Sequence, residues 1–291
     1  MPALTVDVGE VLTNSRNPSP HPMVKGCRWT KGVEGEKAEV PFVPSEDTVY
    51  AVFDLDDTLL RGDSALLWSE FVCREGLVPN KDQYLKREAE LFAQYAKGQM
   101  DMDDYMTNWL SPLKGMDRDT LATHMSTFID KCVVPDIMPY ATDLVESHRE
   151  AGHTLILLSA SPDIVVRPIA HHLGMHAALA IDCSWSEEDT LTGSTHGIMS
   201  YREGKVLKLH EHLEATSRPS SPCRQSRLSG ESDTPCDSPV GDKPVTYFYS
   251  DSINDVPMLE HATYPVCCNA CERLSAVAAE KGWPVIHSGQ E

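Results

Sequence analysis

Residues 49–58 read VYAVFDLDDT. A β-branched and aromatic run suited to a buried strand ends in three aspartates within four residues, Asp54, Asp56 and Asp57. Like charges crowded at the end of a buried strand are costly unless a cation or a reaction uses them. The segments on either side show what kind of sheet this strand belongs to. Beyond residue 135, helical patterns at 139–151, 163–174, 203–214, 252–262 and 271–282 alternate with apolar runs. Those runs are TLILLSA (154–160), AALAIDCSW (177–185, with a hairpin through 187–197), VTYFYSD (245–251), YPVCC (264–268) and WPVI (283–286). Strands alternating with helices predict an α/β fold, a parallel sheet covered on both faces.

Between the first strand and this alternation, residues 63–134 carry four successive helical patterns with no strand among them. Asp101 and Asp117 are candidate N-caps there, and Gly76 and Gly98 are stops. They predict a small helical bundle inserted directly after the first strand. Residues 1–48 mix Pro, Gly, Ser and charge without a period and read as a poorly ordered leader. Residues 215–244 are rich in Ser, Pro and charge and read as a disordered loop within the core, which spans 49–62 and 135–291.

The chain has 291 residues, a formal net charge of −19 and a pI near 4.9. That balance speaks against nucleic acid and anionic membrane surfaces as partners. No apolar run approaches the roughly 20 residues that span a bilayer. The leader lacks the basic and apolar regions of a secretory signal, so the reading is cytoplasmic. Nine scattered cysteines suit a reducing compartment. The lone C-x-x-C, Cys268 and Cys271, lacks further ligands at regular spacing and reads as ordinary packing.

Ligands of a parallel sheet bind at the carboxyl ends of its strands. Asp54 stands there on the first strand, with Asp56 two residues on. YFYSDSINDVP (247–257) places Asp251 and Asp255 at another strand end, LILLSAS ends in Ser159 and Ser161, and YREGKVLKL opens a helix with Lys205. Taken alone, an aspartate at a strand end can cap a turn, and a lysine can be a solvated surface residue. Acids, hydroxyls and a lysine gathered at one sheet edge point to a hard cation such as Mg²⁺ and to chemistry on a charged ligand.

Together FDLDDT, LLSAS, the lysine of REGK and SDSINDVPML resemble the haloacid dehalogenase superfamily, in its branch of phosphoserine and histidinol-phosphate phosphatases. The resemblance covers about 49–287 apart from the loop, and it implies a Rossmann-like core with the four helices as a cap. It implies a Mg²⁺-dependent phosphomonoesterase acting on a small phosphorylated metabolite. Asp54 would be the nucleophile that forms an aspartyl-phosphate, and Asp56 the general acid and then base. Ser159 and Lys205 would hold phosphoryl oxygens, with Lys208 the rival lysine. Asp54, Asp56, Asp251 and Asp255 would form the metal site, Asp56 through its backbone carbonyl and Asp255 from behind the ligands. Asp57 and Thr58 would shape the turn.

Ser250 and Ser252 stand where many relatives carry glycine, and SAS replaces Ser-Gly-Gly, which shifts the expectation from phosphoserine toward histidinol phosphate. Among the candidate cap contacts Trp68, Arg87, Tyr95, Tyr105 and Trp109, the aromatic residues read mainly as bundle core. A phosphotransferase or phosphomutase of the same fold would carry the same motifs. A catalytically silent regulatory protein would have no use for Asp56.

Overall fold

The computed structural model describes residues 48–95, 101–217 and 244–287. The leader at 1–47 and most of the expected loop, 218–243, lie outside the described residues, as do the side chains of Phe92 and Tyr95.

The first strand, β1 (Tyr50–Phe53), is buried along its whole length because it is central. It pairs in parallel with β2 (Thr154–Pro162) on one side and β5 (Thr246–Ser250) on the other. β3 (Ala177–Trp185) and the antiparallel β4 (Leu191–His196) extend the sheet beyond β2. β6 (Tyr264–Cys268) and β7 (Val285–Ile286) extend it beyond β5, giving the order β4-β3-β2-β1-β5-β6-β7. Strand order thus reverses at β1, and a crevice opens at the carboxyl ends of β1 and β5 where such sheets bind ligands.

Period-two alternation divides the strand residues between two cores. Ala51, Phe53, Leu155, Leu157 and Tyr249 face one. Tyr50, Val52, Ile156, Leu158 and Phe248 face the other. Helices α5 (Pro139–Glu150) and α6 (Asp163–His172) cover the first face. The second is covered by α7 (Glu203–Ser217), α8 (Val256–His261) and α9 (Glu272–Lys281). α7 runs three residues into the stretch expected as loop. The helix expected over 252–262 is shorter, a 3₁₀ turn (Ile253–Asp255) leading into α8, whose first turn accommodates Pro257.

The insertion consists of α1 (Ser64–Arg74), α2 (Lys81–Tyr95), α3 (Met102–Leu110) and α4 (Arg118–Phe128). Asp101 accepts from the Asp103 amide (3.0 Å) and Asp117 from the Thr120 amide (2.8 Å), capping α3 and α4. Asp63 does the same for α1 through the Leu66 amide (2.9 Å). Trp68, Trp109 and Phe128 are fully buried at its centre, with Phe128 edge-on to Trp68 (5.0 Å). After α4 the chain runs through a π-turn (Ile129–Val133) and a 3₁₀ turn back to the core.

Entry and exit of the insertion lie side by side. Leu60 bridges Ile137, the Met138 amide donates to the Leu59 carbonyl (2.9 Å), and the Arg61 amide donates to Asp136 (2.7 Å). A second tie is not visible in the sequence pattern. The tip of the β3–β4 hairpin holds the cap through Gly115 N–H to Leu191 O (2.8 Å), Leu191 N–H to Met116 O (2.9 Å) and the Arg118–Asp189 ion pair (2.6 Å).

Candidate active site

Three strand ends, those of β1, β2 and β5, and the start of α7 converge beneath the cap. Asp54 follows β1 directly, its amide bonded to the Tyr249 carbonyl (2.9 Å) so that the side chain leaves the sheet at its edge. Asp57 turns the chain in the left-handed region (φ 52°), and the Gly62 amide donates to its carboxylate (2.8 Å). Asparagine and aspartate tolerate that conformation better than other side chains.

Lys205 is buried and bridges two acids, donating to Asp54 Oδ1 (2.8 Å) and to Asp255 Oδ2 (2.6 Å). Burial works against its charge, but Asp255 and Asp54 together outweigh it and hold its pKa above the ordinary lysine range. Lys208 turns instead to Asp182. Lys205 reaches the site because α7 starts so close to the preceding turn. A Cβ on Gly204 would lie 1.8 Å from the Met199 carbonyl oxygen, so the residue before the lysine has to be glycine.

Thr58 Oγ1 lies between Asp54 and a further carboxylate, 3.5 Å from Asp54 Oδ2 and 3.2 Å from Asp251 Oδ1, and accepts from the Asp251 amide (3.0 Å). Ser250 Oγ donates to Asp255 (2.7 Å) and accepts from the Ser252 amide (3.1 Å). Neither serine has positive φ, so the turn needs no glycine at these two positions.

Asp56 is gripped from both sides. One oxygen accepts from the Ser64 amide (2.6 Å), and the other from Ser161 Oγ (2.9 Å) and Ser159 Oγ (3.3 Å). The two hydroxyls differ in access. Ser159 is wholly buried and also accepts from the Ser161 amide (3.1 Å), whereas Ser161 lines the cavity. That cavity, about 350 Å³, is bounded on the core side by Asp54, Asp56, Asp251 and Arg202 and on the cap side by Asp63, Met102 and Tyr105. Trp68 and Trp109 are core instead, and Arg87 is tied on the surface to Asp104 (2.5 Å).

Burial pushes the carboxyls of Asp54, Asp56 and Asp251 above the usual carboxylate range. Asp54 and Asp255 add to the rise at Asp251, and Asp63 adds to that at Asp56. Crowding adds to the effect of burial: Asp54, Asp251 and Asp255 stand around a single lysine. Among the described residues, no three acidic, His or Cys side chains converge into a closed metal cage, since Lys205 and Thr58 stand between the acids.

A family model described as haloacid dehalogenase-like hydrolase matches residues 51–260. A histidinol-phosphatase of Neisseria meningitidis is 30% identical over 237 residues, 81% of this chain and 97% of that protein. A phosphoserine phosphatase of Mycobacterium tuberculosis is 25% identical over 244 residues, 83% of this chain and 71% of that protein. A crystal structure of a Bordetella pertussis protein of unknown function superposes with a TM-score of 0.70 at 30% identity, covering 82% of this chain and 98% of that one. The chain belongs to the haloacid dehalogenase-like hydrolases and stands among their phosphatases.

Proposed function

We propose that the protein is a Mg²⁺-dependent phosphomonoesterase for small phosphorylated metabolites that works through an aspartyl-phosphate on Asp54. The observation that carries this reading is the pairing of Asp54 and Asp56 at one cavity wall, each held by its own set of donors. In the first half-reaction a carboxylate oxygen of Asp54 attacks phosphorus as the ester P–O bond breaks. Asp56 gives its proton to the departing alkoxide. In the second, Asp56 takes a proton from water as that water attacks the aspartyl-phosphate, which releases inorganic phosphate and restores Asp54. Lys205 supports the first step by balancing charge next to Asp54. Ser161 presents its hydroxyl to the phosphoryl group. Ser159 acts from behind, fixing Asp56 and the Ser161 amide.

The donor set fits a hard divalent cation. Asp54 and Asp251 already share the reach of one hydroxyl, and burial, with negative neighbours adding to it, raises the pKa of both. Mg²⁺ keeps several waters and needs only one or two protein carboxylates, so no closed cage is required. Asp54, Asp251 and the Asp56 carbonyl would hold it, with Asp255 behind, and it would neutralise charge on the phosphoryl oxygens. The cap over a cavity of about 350 Å³ supports a small substrate. The relatives named as histidinol-phosphatase and phosphoserine phosphatase support the same class. We also place the enzyme in the cytosol, where buried unpaired cysteines such as Cys183 and Cys267 stay reduced; among the described residues no helix is long and apolar enough to cross a membrane. The test is hydrolysis of p-nitrophenyl phosphate and a panel of metabolite phosphates with and without Mg²⁺, with free phosphate measured. Transfer to an acceptor without phosphate release, or full activity after chelation, would contradict the reading.

A further inference from the structure

Two non-glycine residues on the cavity wall have positive φ, Asp57 and Arg202 (φ 53°). Aspartate tolerates that region; arginine has no short polar side chain to support it. A strained residue at a site is held there by its surroundings for a reason. Here the surroundings are Asn254 and Tyr201. Arg202 Nε donates to Asn254 Oδ1 (3.3 Å), which also accepts from the Tyr201 hydroxyl (3.4 Å), and the guanidinium lies 4.9 Å from the centre of the Tyr201 ring.

This arrangement uses Nε and leaves both terminal nitrogens with no hydrogen bond or ion pair to any described residue. The side chain is half-buried, in a chain with 44 acidic against 25 basic residues, yet it has no carboxylate partner among the described residues. Arg273, also on the cavity wall, makes no ion pair with a described residue either. Lys205, by contrast, is fully engaged by Asp54 and Asp255. On the reading above, Lys205 together with a bound Mg²⁺ would supply the counter-charge of the phosphoryl group. The guanidinium is a further, forked cation on the turn beside Asn254, and two parallel N–H groups match a carboxylate.

We propose that Arg202, assisted by Arg273, is a specificity-determining residue that pairs with a carboxylate on the leaving-group half of the substrate. The inference rests on the phosphatase reading above and narrows it to carboxylate-bearing phosphomonoesters. Of the two esters brought forward by the resemblance, phosphoserine has such a group and histidinol phosphate does not.

The experiment compares kcat/KM of the Mg²⁺-loaded full chain for O-phosphoserine and phosphoethanolamine, which differ by one carboxylate. Wild type is expected to favour phosphoserine by at least about tenfold. In Arg202→Gly that ratio falls by about tenfold or more, chiefly through KM for phosphoserine, and Arg202→Lys is intermediate. Glycine suits the left-handed backbone, so the variant should melt no lower than wild type. Arg202→Asn, which also accepts this conformation, repeats the test on a second background. A wild type without the preference, or a ratio unchanged in the variants, overturns the proposal. A fall equal for both esters also overturns it, because it places the guanidinium on the phosphate they share. If wild type hydrolyses neither these esters nor p-nitrophenyl phosphate, it is the phosphatase reading that fails.

Discussion

The two walls of the cavity are built by different rules. The core wall gathers Asp54, Asp56, Ser161, Lys205, Asp251 and Asp255 from four segments spread over some 200 positions of the chain, and each side chain is held by at least one hydrogen bond. The cap wall is made of Ala65, Met102 and Tyr105, with Asp63 as its charged group, and behind it stand the buried rings of Trp68, Trp109 and Phe128. Rigid strand ends fix charged groups relative to one another, which is what phosphoryl transfer demands. A helical bundle tied on by a short double connection and a hairpin supplies shape and the exclusion of water. The difference suggests that chemistry belongs to the core wall and that the cap wall governs access.

Substitutions can break this division. The largest effect is expected at Asp54→Asn, which removes the proposed nucleophile at nearly constant volume. Turnover should fall roughly 10⁴-fold or more on every ester, while circular dichroism stays that of wild type. Asp56→Asn should cost about 10²–10⁴-fold on alkyl phosphates and clearly less on p-nitrophenyl phosphate, whose leaving group needs little protonation. Equal losses on both would remove the general-acid role. On the cap side, Trp109→Ala should act on stability rather than chemistry. It empties a fully buried site and deletes the indole N–H bond to the Ala65 carbonyl (3.0 Å), at a cost of about 3–5 kcal/mol by urea denaturation.

The smallest expected effect is a pH dependence that originates in the cap. Glu88 is buried there with Ser69 as hydrogen-bond donor, and burial pushes its pKa from 4.5 to about 7. The folded state thus holds the proton more tightly than the unfolded chain. Its contribution is full below pH 4.5 and is lost as pH rises through about 7. Glu88→Gln should therefore gain about 1–3 kcal/mol relative to wild type between pH 5 and pH 8. Parallel stability curves for the two proteins would show that Glu88 is not the source.

Sequence pattern and structure meet most closely on the core wall. Apolar runs that end in Asp54, Ser159 and Asp251 announce strand ends, and strand ends of a parallel sheet meet at one edge whatever the loop lengths. Lys205 is legible through its place at a helix start. The rest depends on contacts that no local pattern encodes. The choice between Ser159 and Ser161 as the accessible hydroxyl depends on the course of β2 next to Asp56. The need for Gly204 comes from a carbonyl five residues earlier, at Met199. The left-handed backbone of Arg202 is a single-residue property fixed by Asn254, some fifty positions away. The grip of the β3–β4 hairpin on the cap joins Leu191 to Gly115 and Met116, across a separation that periodicity does not register.

The most direct test of the division between walls is to trap the phosphoenzyme. Enzyme mixed with a ³²P-labelled monoester and Mg²⁺ is quenched in acid within milliseconds, digested and mapped by mass spectrometry. Label on the peptide containing Asp54, absent in Asp54→Asn and absent after chelation, is the expected result. Label on Asp56, on a serine or on a cap residue, or steady phosphate release with no labelled protein at any quench time, would contradict the account.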